Sequence, residues 1–225
     1  MCALQVNQYR NFAAGFGNPY RHTGVVPVGS YTVMDGAGNA VGTEEFRAAA
    51  GPAGWRYFST VDTREPEPHR EVIDLVVDGA SHPVRVRIDT GSHAILLGAW
   101  GESLSGTLDG DPVQIQWGPD LYLDYLSPTF SAATANRLGG TADIEVVHLE
   151  PVTCRPRRER HRYEFLGEEE IATPVGRFSA RRWRCTALRT AWTRSLWVAG
   201  DLVVSYEGLF ELAAYEPGQS GPFPR

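Results

Sequence analysis

Alternation with a period of two dominates this chain and leaves little choice of fold. Val84-Arg85-Val86-Arg87-Ile88-Asp89 alternates strictly, and so does Val113-Gln114-Ile115-Gln116-Trp117. Tyr31-Thr32-Val33, Glu45-Phe46-Arg47, Trp55 to Val61, Val72 to Val77 and Leu121 to Tyr125 read the same way. Successive side chains of an extended strand point to opposite faces, so each run offers one apolar and one polar face. Asp78-Gly79, Asp109-Gly110 and Ala199-Gly200-Asp201 punctuate the runs. Asp-Gly supplies the positive φ angles that tight hairpins require. The pattern predicts a mainly β chain, a long antiparallel meander curled into a half-barrel or β-roll.

One segment departs from the alternation. Ser127-Pro128 opens it and Gly139-Gly140 closes it, which is the punctuation of a helix over about 128–138. Phe130, Ala133, Thr134 and Leu138 would share its packing face, near the mouth of the cavity that a curled sheet encloses. Strands resume at Ile144 to Leu149, His161 to Leu166, Arg177 to Leu188, Leu196 to Val198, Leu202 to Tyr206 and Leu209 to Tyr215. No linker divides the middle of the chain. The expected organisation is an irregular segment at 1–28, one β-roll domain at 29–216 and a tail at 217–225. Closure of such a sheet would also dispose of exposed strand edges.

Composition removes several function classes. All 21 basic residues are arginine, so Schiff-base catalysis, a P-loop lysine and pyridoxal phosphate attachment are excluded. The net charge of -6 disfavours a nucleic-acid partner; the basic run Arg155 to Arg162 reads, with its prolines, as a solvated connection. No apolar stretch approaches the length of a membrane span, and the first residues lack a basic region followed by an apolar one, so the expectation is a cytoplasmic protein. The cysteines Cys2, Cys154 and Cys185 are too few and too widely spaced for a disulfide framework or a zinc site. The six histidines never fall at i, i+2 or i, i+4, so no metal is expected. Glycines form no dinucleotide fingerprint, and no cofactor is expected.

Two catalytic motifs come near. Asp89-Thr90-Gly91-Ser92 resembles an aspartic-protease loop, a chemistry that needs two carboxylates sharing a proton; a symmetric dimer would have to supply the second. The alternative is a strand ending in a common turn. Gly101-Glu102-Ser103-Leu104-Ser105-Gly106 approaches a nucleophile elbow without matching it. More informative is a scatter of polar and aromatic residues within apolar strands. Asp89, His93 and Asp124 are the candidates for acid–base work, through pairs such as Asp89 with His93 or Asp124 with Arg182. Glu45, Arg47, Trp117, Tyr125, Arg182, Trp183 and Tyr206 are the candidates for lining a small-molecule cavity.

The order of several short motifs carries a resemblance. Asp124 to Phe130, Asn136-Arg137-Leu138, Arg162-Tyr163-Glu164, Thr173-Pro174-Val175-Gly176-Arg177-Phe178, Leu196-Trp197-Val198 and Leu202 to Glu211 stand in sequence, with Val41 to Arg47 ahead of them. Across 30–215 this looks like the glycolipid-binding domain family and related bacterial spiral β-rolls, which are similar in architecture to lipoprotein carriers. The resemblance implies a half-barrel around an apolar cavity with the short helix over its mouth; it brings no catalytic residues. Two functions follow as expectations. One is binding of a hydrophobic or amphipathic small molecule, lipid- or polyketide-like, by a monomer or homodimer. The other is a cofactor-independent cyclase or isomerase using the same cavity to orient its substrate.

Overall fold

A computed structural model describes residues 27–51 and 54–217. The irregular ends expected at 1–28 and 217–225 lie, apart from residues 27, 28 and 217, outside the described residues. Among the described residues there are fifteen strands and one helix. The first group comprises β1 (Val28–Met34), β2 (Ala40–Gly51), β3 (Gly54–Thr63), β4 (His69–Asp78), β5 (Pro83–Asp89), β6 (Ala94–Trp100), β7 (Ser103–Leu108) and β8 (Asp111–Gln116). After β9 (Leu121–Asp124) and α1 (Pro128–Arg137) come β10 (Ala142–Leu149), β11 (Pro156–Thr173), β12 (Gly176–Ala187), β13 (Trp192–Ala199), β14 (Leu202–Tyr206) and β15 (Phe210–Glu216).

All fifteen strands belong to one sheet, in the order β8 to β1, then β15 down to β9. It is curled but not closed, with β8 and β9 at its two edges. The meander predicted from alternation therefore exists as two meanders joined where β1 pairs with β15. One pair departs from the expected antiparallel pattern. β9 and β10 run parallel, because a helix lies between them and returns the chain to the same end of the sheet before the next strand starts.

The alternation places side chains as expected in most strands. In β3, Trp55, Tyr57, Ser59 and Val61 point inward while Arg56, Phe58 and Thr60 lie between them on the outer face. Ile73, Leu75, Val86, Ile88, Ile95, Leu97 and Leu104, none more than 1% exposed, fill the interior of the β4–β7 region. The hairpin signals also hold. Asp109 and Gly110, at φ of 55° and 88°, make the tight β7–β8 turn. Asp78 Oδ1 accepts the amides of Ala80 and His82 in the β4–β5 turn.

Two elements were not legible. β6 and β7 fall where the sequence suggested only catalytic near-matches: Asp89-Thr90-Gly91-Ser92 is the β5–β6 turn, and Gly101 to Gly106 is the β6–β7 turn with the start of β7. Thr90 there is buried and donates its hydroxyl to the Val152 carbonyl at 2.9 Å. The basic run Arg155 to Arg162 is no solvated connection. From Pro156 it is the start of the longest strand, β11, in which Arg158 pairs with Glu145 of β10 and Arg160 and Arg162 with Asp143.

The helix begins as its sequence predicts: the Ser127 side chain caps it by accepting the Thr129 amide, and Pro128 is its first residue. Every residue from Pro128 to Ala135 is buried. The helix is thus packed inside the curl, against β4, β9 and β14, and its N-terminal end, with Ser127 and Ser131, borders a cavity. No helix among the described residues is long and apolar enough to cross a membrane.

Candidate functional site

The C-terminal strands bring several polar side chains together on one face. In the parallel pair, Asp124 of β9 is in register with His148 of β10. Across the next pair, His148 stands opposite Arg157, Val146 opposite Glu159 and Ile144 opposite His161. Further on, His161 faces Ala187 and Tyr163 faces Cys185 of β12. Residues directly opposite in a ladder share a face. The inward row therefore collects His148, Arg157, Glu159, His161, Tyr163 and Cys185, and all six border one cavity of about 230 Å³.

Apolar side chains share the walls with these groups. Tyr125, Leu126, Pro151, Trp192, Tyr206, Leu209 and Phe210 also line it, with Trp192, Tyr206 and Phe210 forming a continuous aromatic row at centroid spacings of 6.3 and 6.4 Å. A second cavity of about 390 Å³ lies beside the first. Tyr125, Leu126, Pro151 and Phe210 border both, so these residues form the partition between two lobes of one interior. The second lobe is lined by Val33, Val41 and Val61 and, next to Val61 across the β3–β4 ladder, by Glu71 with His69.

Two histidine–carboxylate pairs stand in the first lobe. His148 Nδ1 lies 2.8 Å from Asp124 Oδ2, and both side chains keep about a fifth of their surface exposed. Burial works against a charged ring, but the hydrogen bond and charge of Asp124 outweigh it and raise the His148 pKa above its ordinary value. His161 Nε2 lies 3.2 Å from Glu159 Oε2. Glu159 also receives Arg157 at 2.6 Å and Arg189 at 3.4 Å. Burial opposes its ionisation; the His161 hydrogen bond and the Arg157 charge prevail and hold its carboxyl below the usual range. Cys185 is unsuited to nucleophilic attack, since burial pushes its thiol up to about 12. The lobe thus offers acid–base groups and charge.

Behind the partition lies a second set of acids that the sequence reading missed. Tyr125 donates its hydroxyl to Glu71 at 2.8 Å, and Ser127 donates its hydroxyl to Glu44 at 2.6 Å. Glu44 is wholly buried. Burial raises its pKa to about 7, the Ser127 hydrogen bond offsets part of that rise, and the Glu71 charge adds to it. Glu44 Oε2 and Ser59 Oγ have no hydrogen-bond partner among the described residues.

The predicted site residues divide cleanly. Asp124, Tyr125 and Tyr206 all border the first lobe. Glu45 and Arg47 are exposed on the outer face of β2, because the apolar phase of that strand is Glu44-Phe46-Ala48. Trp183 points inward but is wholly packed, its ring 6.4 Å from that of Tyr163 and 5.1 Å from that of Phe165. Arg182 faces the other way, over the Trp197 ring and beside Glu169, so it does not pair with Asp124. Trp117 borders a separate cleft with Glu145 and Arg158. Asp89 accepts the Gly91 amide and Arg87. His93 pairs not with Asp89 but with Asp109, at 2.7 Å on the exposed β6–β7 side.

His148, Glu159 and His161 are the residues that spacing alone could not bring together. Two signals were available. In Glu159-Arg160-His161-Arg162-Tyr163 the arginines occupy one phase and the future lining residues the other. Likewise Glu44 is in phase with Phe46 rather than with Arg47.

The chain matches no protein-family model and no curated protein. Among solved structures it is similar to a DUF1089 family protein from Pseudomonas aeruginosa, with 18% identity, a TM-score of 0.48, and 91% of this chain and 99% of that chain covered. It is also similar to a β-barrel-like protein of domain of unknown function DUF1849 from Brucella abortus, with 8% identity, a TM-score of 0.49, and coverage of 87% and 99%.

Proposed function

We propose that this protein binds a lipophilic small molecule, lipid- or polyketide-like, in the two-lobed interior of the curled sheet. The observation that carries this reading is the pair of adjoining cavities, about 230 and 390 Å³, whose accessible walls are mostly aliphatic and aromatic with charged and polar side chains set among them. Sites for small molecules have this make-up. Burying about 400 Å² of apolar ligand surface yields about 10 kcal/mol before the cost of immobilisation, which is compatible with micromolar affinity. The reading includes a cytoplasmic location, a monomer or homodimer, and no cofactor, all resting on the sequence arguments above.

A second reading, a cofactor-independent cyclase or isomerase, is favoured by one observation: the Asp124–His148 pair at 2.8 Å beside the same cavity. Native mass spectrometry of the purified protein, then titration with 1-dodecanol followed by tryptophan fluorescence, tests the binding reading. Saturable binding that weakens in Leu126→Trp, which crowds both lobes, is the expected result. Absence of any co-purified or titrated ligand overturns it. Conversion of a bound molecule to a product of identical mass, abolished in His148→Phe, would favour the enzyme.

A further inference from the structure

The apolar walls account for the body of a ligand, and the charges at the rim of the first lobe bear on its head. Three donors converge on Glu159: Arg157 at 2.6 Å, Arg189 at 3.4 Å and His161 at 3.2 Å. One carboxylate cannot occupy two guanidinium groups with five N–H donors each. Glu159 and His161 are nearly buried, whereas the side chains of Arg157 and Arg189 are 43% and 61% exposed. Their remaining donors therefore stand at the mouth, with Trp192 beside them. Glu150 is the competing acid on the rim, 3.7 Å from Arg157.

The second lobe is the more acidic: Asp35, Glu65 and Glu71 border it with His69 the one basic group in its lining, whereas in the first lobe Arg157 and Arg189 balance Asp124 and Glu159. The chain as a whole carries -6. An acidic group is thus disfavoured over most of the molecule, and the exposed donors of Arg157 and Arg189 give it a matched position at one end of the interior. Arginine suits such a group, because its planar fork binds carboxylate and phosphate oxygens in pairs.

We propose that the first lobe takes an anionic amphiphile, its acidic head held at Arg157 and Arg189 and its apolar body against Trp192, Tyr206 and Phe210. The inference rests on the binding reading above and specifies its ligand. A fatty acid and a lipid phosphate share this chemistry, so both belong in the test.

Dodecanoate, dodecyl phosphate, 1-dodecanol and dodecyltrimethylammonium are titrated separately into the full chain below their aggregation concentrations. The expected result is that at least one acid binds about tenfold or more tightly than the alcohol. That ratio should fall to about twofold in the Arg157→Gln/Arg189→Gln double variant and shrink in wild type as salt is raised. The acid that binds more tightly identifies the head group. If the double variant does not fold, Arg189→Gln and the wild-type salt series carry the same test. Equal binding of acids and alcohol, or tightest binding of the ammonium, overturns the acidic-head inference and leaves the cavity reading standing. Binding of none of the four overturns both.

Discussion

Glu44→Gln separates the energetic effect of one buried charge from everything else in the molecule. Glu44 has no exposed surface, and its pKa stands at about 7 against an ordinary 4.5. Between those two values the folded protein holds a proton that the unfolded chain has released. Stability is therefore greatest below pH 4.5, falls as pH rises through 7, and is flat above. The full difference is about 3 kcal/mol, of which about 2.5 kcal/mol falls between pH 5 and pH 8.5. Glutamine keeps the oxygen that accepts from Ser127 and removes only the charge. Urea unfolding of both proteins at the two pH values isolates this contribution, because His148 and every other titrating group are common to both. Wild type should lose about 2.5 kcal/mol more than Glu44→Gln between pH 5 and pH 8.5, equivalent to about 5–10 °C in Tm for a chain of this size. Equal losses in the two proteins would refute the argument that burial dominates at this position.

Two further outcomes follow from the geometry. Asp124→Asn should lower the His148 pKa, because the bond and charge that raise it are lost while the burial that opposes it stays; an NMR titration of the His148 ring checks this, and an unchanged midpoint contradicts it. A Cβ at Gly106 would sit 1.8 Å from the Leu96 carbonyl, whereas one at Gly118 would meet nothing within 4 Å. Gly106→Ala should thus cost more than about 3 kcal/mol in urea unfolding and Gly118→Ala less than about 0.5 kcal/mol, and similar midpoints for both would contradict the close packing of β6 on β7.

Most of the fold was legible because alternation and turn residues are local. The run from Val84 to Asp89, the Asp109-Gly110 turn and the Ser127-Pro128 helix start each declare themselves within a few residues. β6 and β7 were hidden because Ser-Gly-Thr and Leu-Leu-Gly-Ala lack a clear polar phase. The parallel β9–β10 pair was legible only in principle, through the helix between them. The site was harder. Asp124, Tyr125 and Tyr206 stand out as polar or aromatic residues in apolar strands, and they do border the first lobe. Their partners depend on register: His148 lies 24 residues from Asp124, and nothing local to either residue announces the pairing. Glu44 and Glu45 carry the same charge, so only strand phase separates the buried acid from the exposed one. The strand follows phase: Phe46 fixes which face is inward, and Glu44 goes with it.

The pairing of β1 with β15 has a consequence for chain connectivity. Val28 stands opposite Glu216, so the two ends of the described chain meet in the middle of the sheet, while the chain crosses from one sheet edge to the other through residues 117–120 between β8 and β9. A circular permutant joined from 217 to 27 and opened at Pro119 would run β9 to β15 and then β1 to β8, which is the order in which the strands stand side by side. The β1–β15 contact would become an ordinary hairpin, and the closure of a long loop that opposes folding would shift to contacts across the new opening, such as that of Arg158 with the Gln116 carbonyl.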